Sequence, residues 1–87
     1  MPYILAGDRP KFDEALRQFC GHINTPGELN YLFTRLALEY LGWHGENYQH
    51  INDVLGALEG AKLEFYRRVA TPYEDGKAEQ NGDVYGG

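Results

Sequence analysis

Lys62, Tyr66, Arg67, Arg68 and Tyr73 form the densest basic–aromatic cluster in this chain. A guanidinium presents a planar fork that matches phosphate oxygens, and a tyrosine ring presents a face on which a base stacks. Such a set suits a small anionic ligand of nucleotide type. Asn30, Tyr31 and Thr34 place further hydrogen-bonding groups on one flank of a helical segment, where they suit a polar ligand held across an interface. Both groups also have a plainer reading. Glu59–Lys62, Glu64–Arg67 and Glu64–Arg68 stand three or four residues apart, as do Asp13–Arg17 and Arg35–Glu39, the spacing of helical surface pairs worth ~0.2–0.5 kcal/mol. For Asn30, Tyr31 and Thr34 the plainer reading is a solvated helix face.

Other chemistry is thin. The chain contains no serine, which removes serine-nucleophile mechanisms. Cys20 is the only cysteine, so neither an intramolecular disulfide nor a thiolate-rich zinc site can form. His22, His44 and His50 match no zinc spacing, and Cys20 falls on an apolar helix face where a thiol acts as a small hydrophobe. No metal and no cofactor are expected. Glu28, Asp53 and His50 have no nucleophile paired with them, so no catalytic residue is assigned and an enzyme ranks last among the readings. Gly42 to Gly45 is too short, and lacks the preceding strand, to be a phosphate loop.

The elements that would carry these side chains are set by two helix-start patterns, Thr25-Pro26-Gly27-Glu28 and Thr71-Pro72-Tyr73-Glu74. In each the threonine hydroxyl can accept from the third following N–H, and the glutamate can reach back to the threonine's own N–H. Proline at the first helical position loses nothing, since its N–H would have no partner there. Between these punctuation marks the apolar residues recur at helical spacing. Residues 1–8 read as extended, with Asp8 as N-cap of a first helix over residues 9–23. Its stripe is Phe12, Ala15, Leu16, Phe19, Cys20 and Ile23.

A second helix over residues 26–41 carries Leu29, Leu32, Phe33, Leu36, Ala37, Tyr40 and Leu41, with Gly42 as its expected cap. A third, over residues 47–69, carries Tyr48, Ile51, Leu55, Leu58, Phe65 and Val69, interrupted only by Lys62. A short helix over residues 72–80, broken at Gly76, and a tail over residues 81–87 complete the chain, with Val84 and Tyr85 expected to pack beside Tyr3 to Leu5. The predicted fold is all-α, a single domain: three amphipathic helices in an antiparallel bundle, a short fourth helix and an ordered C-terminal tail.

Self-association is the next expectation. At 87 residues the core is thin, and the third helix is apolar on more than one side. Gly56 and Gly60, flanked by Ala57 and Ala61, make a small-residue ridge inside that helix. Each interior glycine costs about 0.5–1 kcal/mol relative to alanine, which calls for close approach by some other backbone. That backbone is either another part of the same chain or a second subunit, and Gly56, Gly60 and Leu63 are the candidate interface.

The net charge of −5 and the scattered basic residues argue against duplex nucleic acid as a partner. No stretch approaches the ~20 apolar residues of a membrane span, and the N-terminus lacks a signal peptide's basic region, so a cytoplasmic location is expected.

Pro26-Gly27-Glu28-Leu29-Asn30-Tyr31, Lys62-Leu63-Glu64-Phe65-Tyr66-Arg67-Arg68, Pro72-Tyr73-Glu74-Asp75 and Asn81-Gly82-Asp83-Val84-Tyr85 together resemble a family of short uncharacterised proteins found in bacteria and their phages. The likeness runs over almost the full chain. It implies a stand-alone cytosolic protein often carried by phages. Phage proteins of this size and helical character include sequestering proteins that capture the nucleotide signals of bacterial immunity, an analogy of setting rather than of motif.

Two functions are therefore carried forward. In the first, a non-enzymatic homo-oligomer holds a cyclic dinucleotide or an ADP-ribose-type ligand beside a subunit interface. Arg67 and Arg68 neutralise phosphate, Tyr66 or Tyr73 stacks, and Asn30 and Thr34 supply hydrogen bonds. In the alternative, the chain is a protein-interaction module, an inhibitor of a host protein or a small structural accessory, with no small-molecule ligand.

Overall fold

The computed structural model describes residues 4–85. Among them every regular element is helical and there is no strand, which places the chain in the all-α class. A 3-10 turn, Ala6–Asp8, leads into α1 (Pro10–Cys20), α2 (Pro26–His44), α3 (Tyr48–Phe65), a π-helical turn over Tyr66–Ala70, and α4 (Thr71–Asn81). The described chain divides into two units, residues 4–55 and residues 56–85. No helix among the described residues is long and apolar enough to cross a membrane.

In the first unit the entry to α1 differs from the expected Asp8 cap. Asp8 lies in the 3-10 turn, Arg9 precedes the helix in right-handed helical geometry, and no side chain caps the end. The Arg9 guanidinium instead ties the segment down by donating to the Ile4 carbonyl at 3.1 and 3.2 Å.

The start of α2 follows the sequence pattern. Thr25 is extended, and its Oγ1 accepts from the Glu28 N–H at 3.1 Å. Glu28 reaches one residue further back than expected: its Oε1 accepts from the Asn24 N–H at 2.8 Å and from the Thr25 hydroxyl at 3.3 Å. Two otherwise orphaned donors at the helix mouth are thereby satisfied.

Gly42 does not end α2. The helix continues through Trp43 and His44 to Gly45, whose φ of 102° is closed to most side chains. The Gly45 N–H donates to the Leu41 carbonyl at 2.7 Å. Asn47 then opens α3, its Oδ1 accepting from the His50 N–H at 2.8 Å.

The largest departure from the sequence reading is at Thr71. The pattern that caps α2 is repeated there, yet Ala70 and Thr71 both hold right-handed helical geometry and no side chain caps α4. The backbone runs helically from Tyr48 to Asn81 without a break. Pro72 is thus a proline inside a helix, where it has no N–H to give and its ring crowds the carbonyl four residues back. The π turn is the accommodation: the Thr71 N–H bonds to the Tyr66 carbonyl, five residues earlier, widening the helix just before the ring. Gly76 lies inside α4 and does not interrupt it, and the helix ends at Gly82, with φ of 86°. Val84 and Tyr85 beyond it are almost wholly exposed. The expected packing of this tail on Tyr3 involves a residue outside those described.

No described residue is buried. Half-buried side chains in the first unit include Phe19, Ile23 and Leu32 near the turn joining α1 to α2, and Leu41 and His50 near the turn joining α2 to α3. Ala37 on α2 is half-buried too, and most of each apolar stripe is exposed, including Phe12 and Leu16 on α1, Leu29, Phe33 and Leu36 on α2, and Leu55, Leu63 and Phe65 on α3.

Candidate functional site

Residues Lys62, Tyr66, Arg67, Arg68 and Tyr73 all lie in the second unit, and three of them sit on or beside the π turn. Their arrangement is governed by carboxylates of the same helix. Glu64 collects both arginines: Arg67 Nη2 donates to its Oε1 at 2.8 Å and its Oε2 at 3.2 Å, and Arg68 Nε donates to Oε2 at 2.9 Å. The guanidinium groups nonetheless remain largely exposed. Pairs of this exposure contribute little to stability, about 0–1 kcal/mol each.

The Tyr66 hydroxyl donates to Glu74 Oε2 at 3.3 Å, a bond spanning eight residues. Eight residues of regular α-helix would leave a pair about 80° apart, so the extra residue taken up by the π turn is what realigns them. The Tyr73 ring is approached by Lys77, whose Nζ lies 5.6 Å from the ring centroid.

Asn30, Tyr31 and Thr34 lie in the first unit, on α2. The Thr34 hydroxyl donates to the Asn30 backbone carbonyl at 3.0 Å, which spends its proton inside the helix. The Tyr31 hydroxyl accepts from Arg35 Nη1 at 3.1 Å, and Arg35 Nη2 donates to Glu39 Oε1 at 3.2 Å. The bond to Tyr31, and then that to Glu39, raise the Arg35 pKa above its ordinary value, so this cation is fixed.

Two features were not legible in the sequence. One is a cleft of about 490 Å³ at the α1–α2 corner, lined by Phe19, Ile23, Tyr31 and Leu32 with Glu28 and Thr25 among its polar groups. The other is an aromatic cluster at the α2–α3 corner. The Tyr40 and His44 rings lie 4.4 Å apart, and the His50 ring stands 5.9 Å from His44. His50 Nδ1 lies 2.8 Å from the Gly45 carbonyl, an atom that only accepts, so this nitrogen is the donor. The signal for this cluster was the pair of histidines flanking Gly45. Among the described residues no three His, Cys, Asp or Glu side chains converge as a metal site would require.

With this geometry in place, the comparisons with known proteins give one result. The family described as Domain of unknown function (DUF6899) matches residues 1–84, and the chain belongs to that family. No curated protein and no solved structure matches it.

Proposed function

We propose that this member of the DUF6899 family is a non-enzymatic interaction module that folds as a homo-oligomer, each copy supplying the apolar surface its neighbour lacks. The observation that carries this reading is the absence of any buried residue among those described, although α1, α2 and α3 each present an apolar stripe.

The glycine ridge supports the same reading. A Cβ at Gly56 or Gly60 would meet nothing within 4 Å, so tight packing within the second unit does not account for either residue. Close approach by another copy does. In the assembly the amphipathic helices meet near-antiparallel, as in helical bundles generally. Light scattering tests this reading. Wild type is expected at a mass of at least two chains, and Gly60→Leu, which fills the ridge, at a lower mass. A wild-type mass of one chain at every concentration would sink the proposal.

A second reading, in which the oligomer holds a small anionic, nucleotide-like ligand, draws on one specific observation. The cluster of Tyr66, Arg67 and Arg68 coincides with the π turn, and π turns recur at functional positions because they reset side-chain directions within an otherwise regular helix. Calorimetric titration with cyclic dinucleotides and ADP-ribose separates the two readings. The ligand reading expects heat from wild type that is lost in Arg67→Ala. Silence from wild type leaves the interaction module alone.

A further inference from the structure

We infer that the cleft at the α1–α2 corner is a binding site for a small organic cation, an ammonium carried on a flat apolar body. The cleft lies wholly within the first unit, so it stands apart from the self-association reading. Its volume of about 490 Å³ falls in the range of small-ligand pockets, ~300–1,000 Å³. Its apolar lining includes Phe19, Ile23 and Leu32, all half-buried in a unit whose side chains are mostly exposed. Tyr31 adds a second ring from the α2 side.

The charge of the occupant follows from Glu28. Its Oε1 accepts from the Asn24 N–H at 2.8 Å and from the Thr25 hydroxyl at 3.3 Å, which fixes the carboxylate at the cleft wall. Oε2 meets no donor among the described residues, so it is left for one brought by a ligand. No lysine or arginine lines the cleft, and His22 is the other titratable group there. Arg35 reaches the Tyr31 hydroxyl at 3.1 Å but is already answered by Glu39 at 3.2 Å. An anion, which a bare helix N-terminus would draw, meets a carboxylate that already serves that end of α2. An ammonium instead gives Oε2 a charge-assisted bond, and the rings of Phe19 and Tyr31 supply aromatic surface for the rest of the molecule.

Gly27 is the independent sign that this space is kept open. It lies in the first turn of α2 and lines the cleft. Its φ is not positive, so the backbone does not call for glycine there. Crowding does not call for it either, since an added Cβ would come no closer than 3.8 Å, to Thr25 Oγ1. Glycine favours helix less than alanine does, so its presence has a local cost. What glycine does provide is a low wall, with the cleft reaching the backbone between Thr25 and Glu28.

The test is an NMR titration of the isotope-labelled full chain with phenethylammonium, phenylethanol and phenylacetate, which share a ring and differ in charge. Phenethylammonium should bind with a Kd of about 1 mM, ordinary for a molecule of its size, and shift amides within residues 19–32. Phenylethanol should bind about 10-fold more weakly, having no charge to strengthen its bond, and phenylacetate weakest of the three. Glu28→Gln keeps an acceptor for Asn24 and Thr25, so α2 still starts there, and it should bind the ammonium no better than the alcohol. Gly27→Leu fills the cleft and should bind neither, with its helix signal undiminished. Three outcomes overturn the proposal: no shift in these amides with phenethylammonium, an alcohol that binds as well as the ammonium, or a Glu28→Gln variant that still prefers the ammonium. Light scattering on the same samples decides self-association separately.

Discussion

Diluting the protein from ~100 µM to ~10 nM should abolish most of its helix signal. Each tenfold dilution of an associating chain removes about 1.4 kcal/mol from the assembled state, so four decades remove about 5.5 kcal/mol. Folded domains hold only about 5–15 kcal/mol in total. Nothing in one copy replaces that loss, because no described residue is buried and the side-chain hydrogen bonds that brace the helices, such as Arg17 to Glu14 at 2.9 Å, are exposed neighbour contacts. Isolated helices of this length are marginal in water on their own. Far-UV circular dichroism down to nanomolar concentration, with thermal melts at each step, reads the effect directly. The melting temperature should climb with concentration. A spectrum and a melting point independent of concentration would remove the basis for the oligomeric reading.

The second large effect is expected from Pro72→Ala. Restoring an N–H at position 72 permits a bond to the Arg68 carbonyl and removes the ring that crowds it, so the π turn has no further cause. Regular α-helix should then run from Tyr48 to Asn81, with a gain of up to about 3 kcal/mol, the difference between proline and alanine in a helix interior. Removal of the extra residue from the turn rotates everything beyond it by about 100°. Glu74 swings away from Tyr66, and their 3.3 Å hydrogen bond is broken. A melt at higher temperature together with loss of the Tyr66–Glu74 contact by NMR is the expected pair of results. A variant that melts lower, or that keeps the contact, would show that the turn is held by something other than the proline. If a ligand binds at the turn, the same variant should bind it more weakly while being more stable, a combination that simple unfolding does not produce.

The contrast between Thr25 and Thr71 explains how far the fold could be read in advance. Both begin the same four-residue pattern, and only Thr25 acts as a cap. The pattern is a start signal, and a start is used only where the preceding chain has stopped. Ahead of Thr25 come Gly21 and a non-helical stretch, so the helix must begin anew. Ahead of Thr71 lie Arg67, Arg68, Val69 and Ala70, all able to continue a helix and none able to take the left-handed geometry that ends one. The energetic conflict at Pro72 was therefore resolved by widening the turn rather than by breaking it.

A similar choice separates Gly42 from Gly45. Either can cap, but Trp43 and His44 are compatible with helix, and the later glycine takes the positive φ.

At the candidate site the ion pairs of Glu64 with Arg67 and Arg68 follow from spacing alone. The Tyr66–Glu74 bond, the α1–α2 cleft and the Tyr40–His44–His50 cluster do not, because each depends on the geometry of a turn that the one-dimensional pattern does not encode. The apolar stripes were plain from the start. What covers them was not, since periodicity describes one surface and says nothing of its counterpart.

The bare stripe on α2 also bears on how much of the protein a cell can keep. If the chain folds only on self-association, as proposed, a newly made copy without a mate presents Phe33, Leu36 and Trp43 to chaperones and proteases, and its lifetime would be set by how soon a second copy arrives. Weak expression would then leave scarcely any survivors, and a modest rise in synthesis would yield a disproportionate rise in the amount that lasts. Abundance would respond to transcription as a threshold rather than a slope.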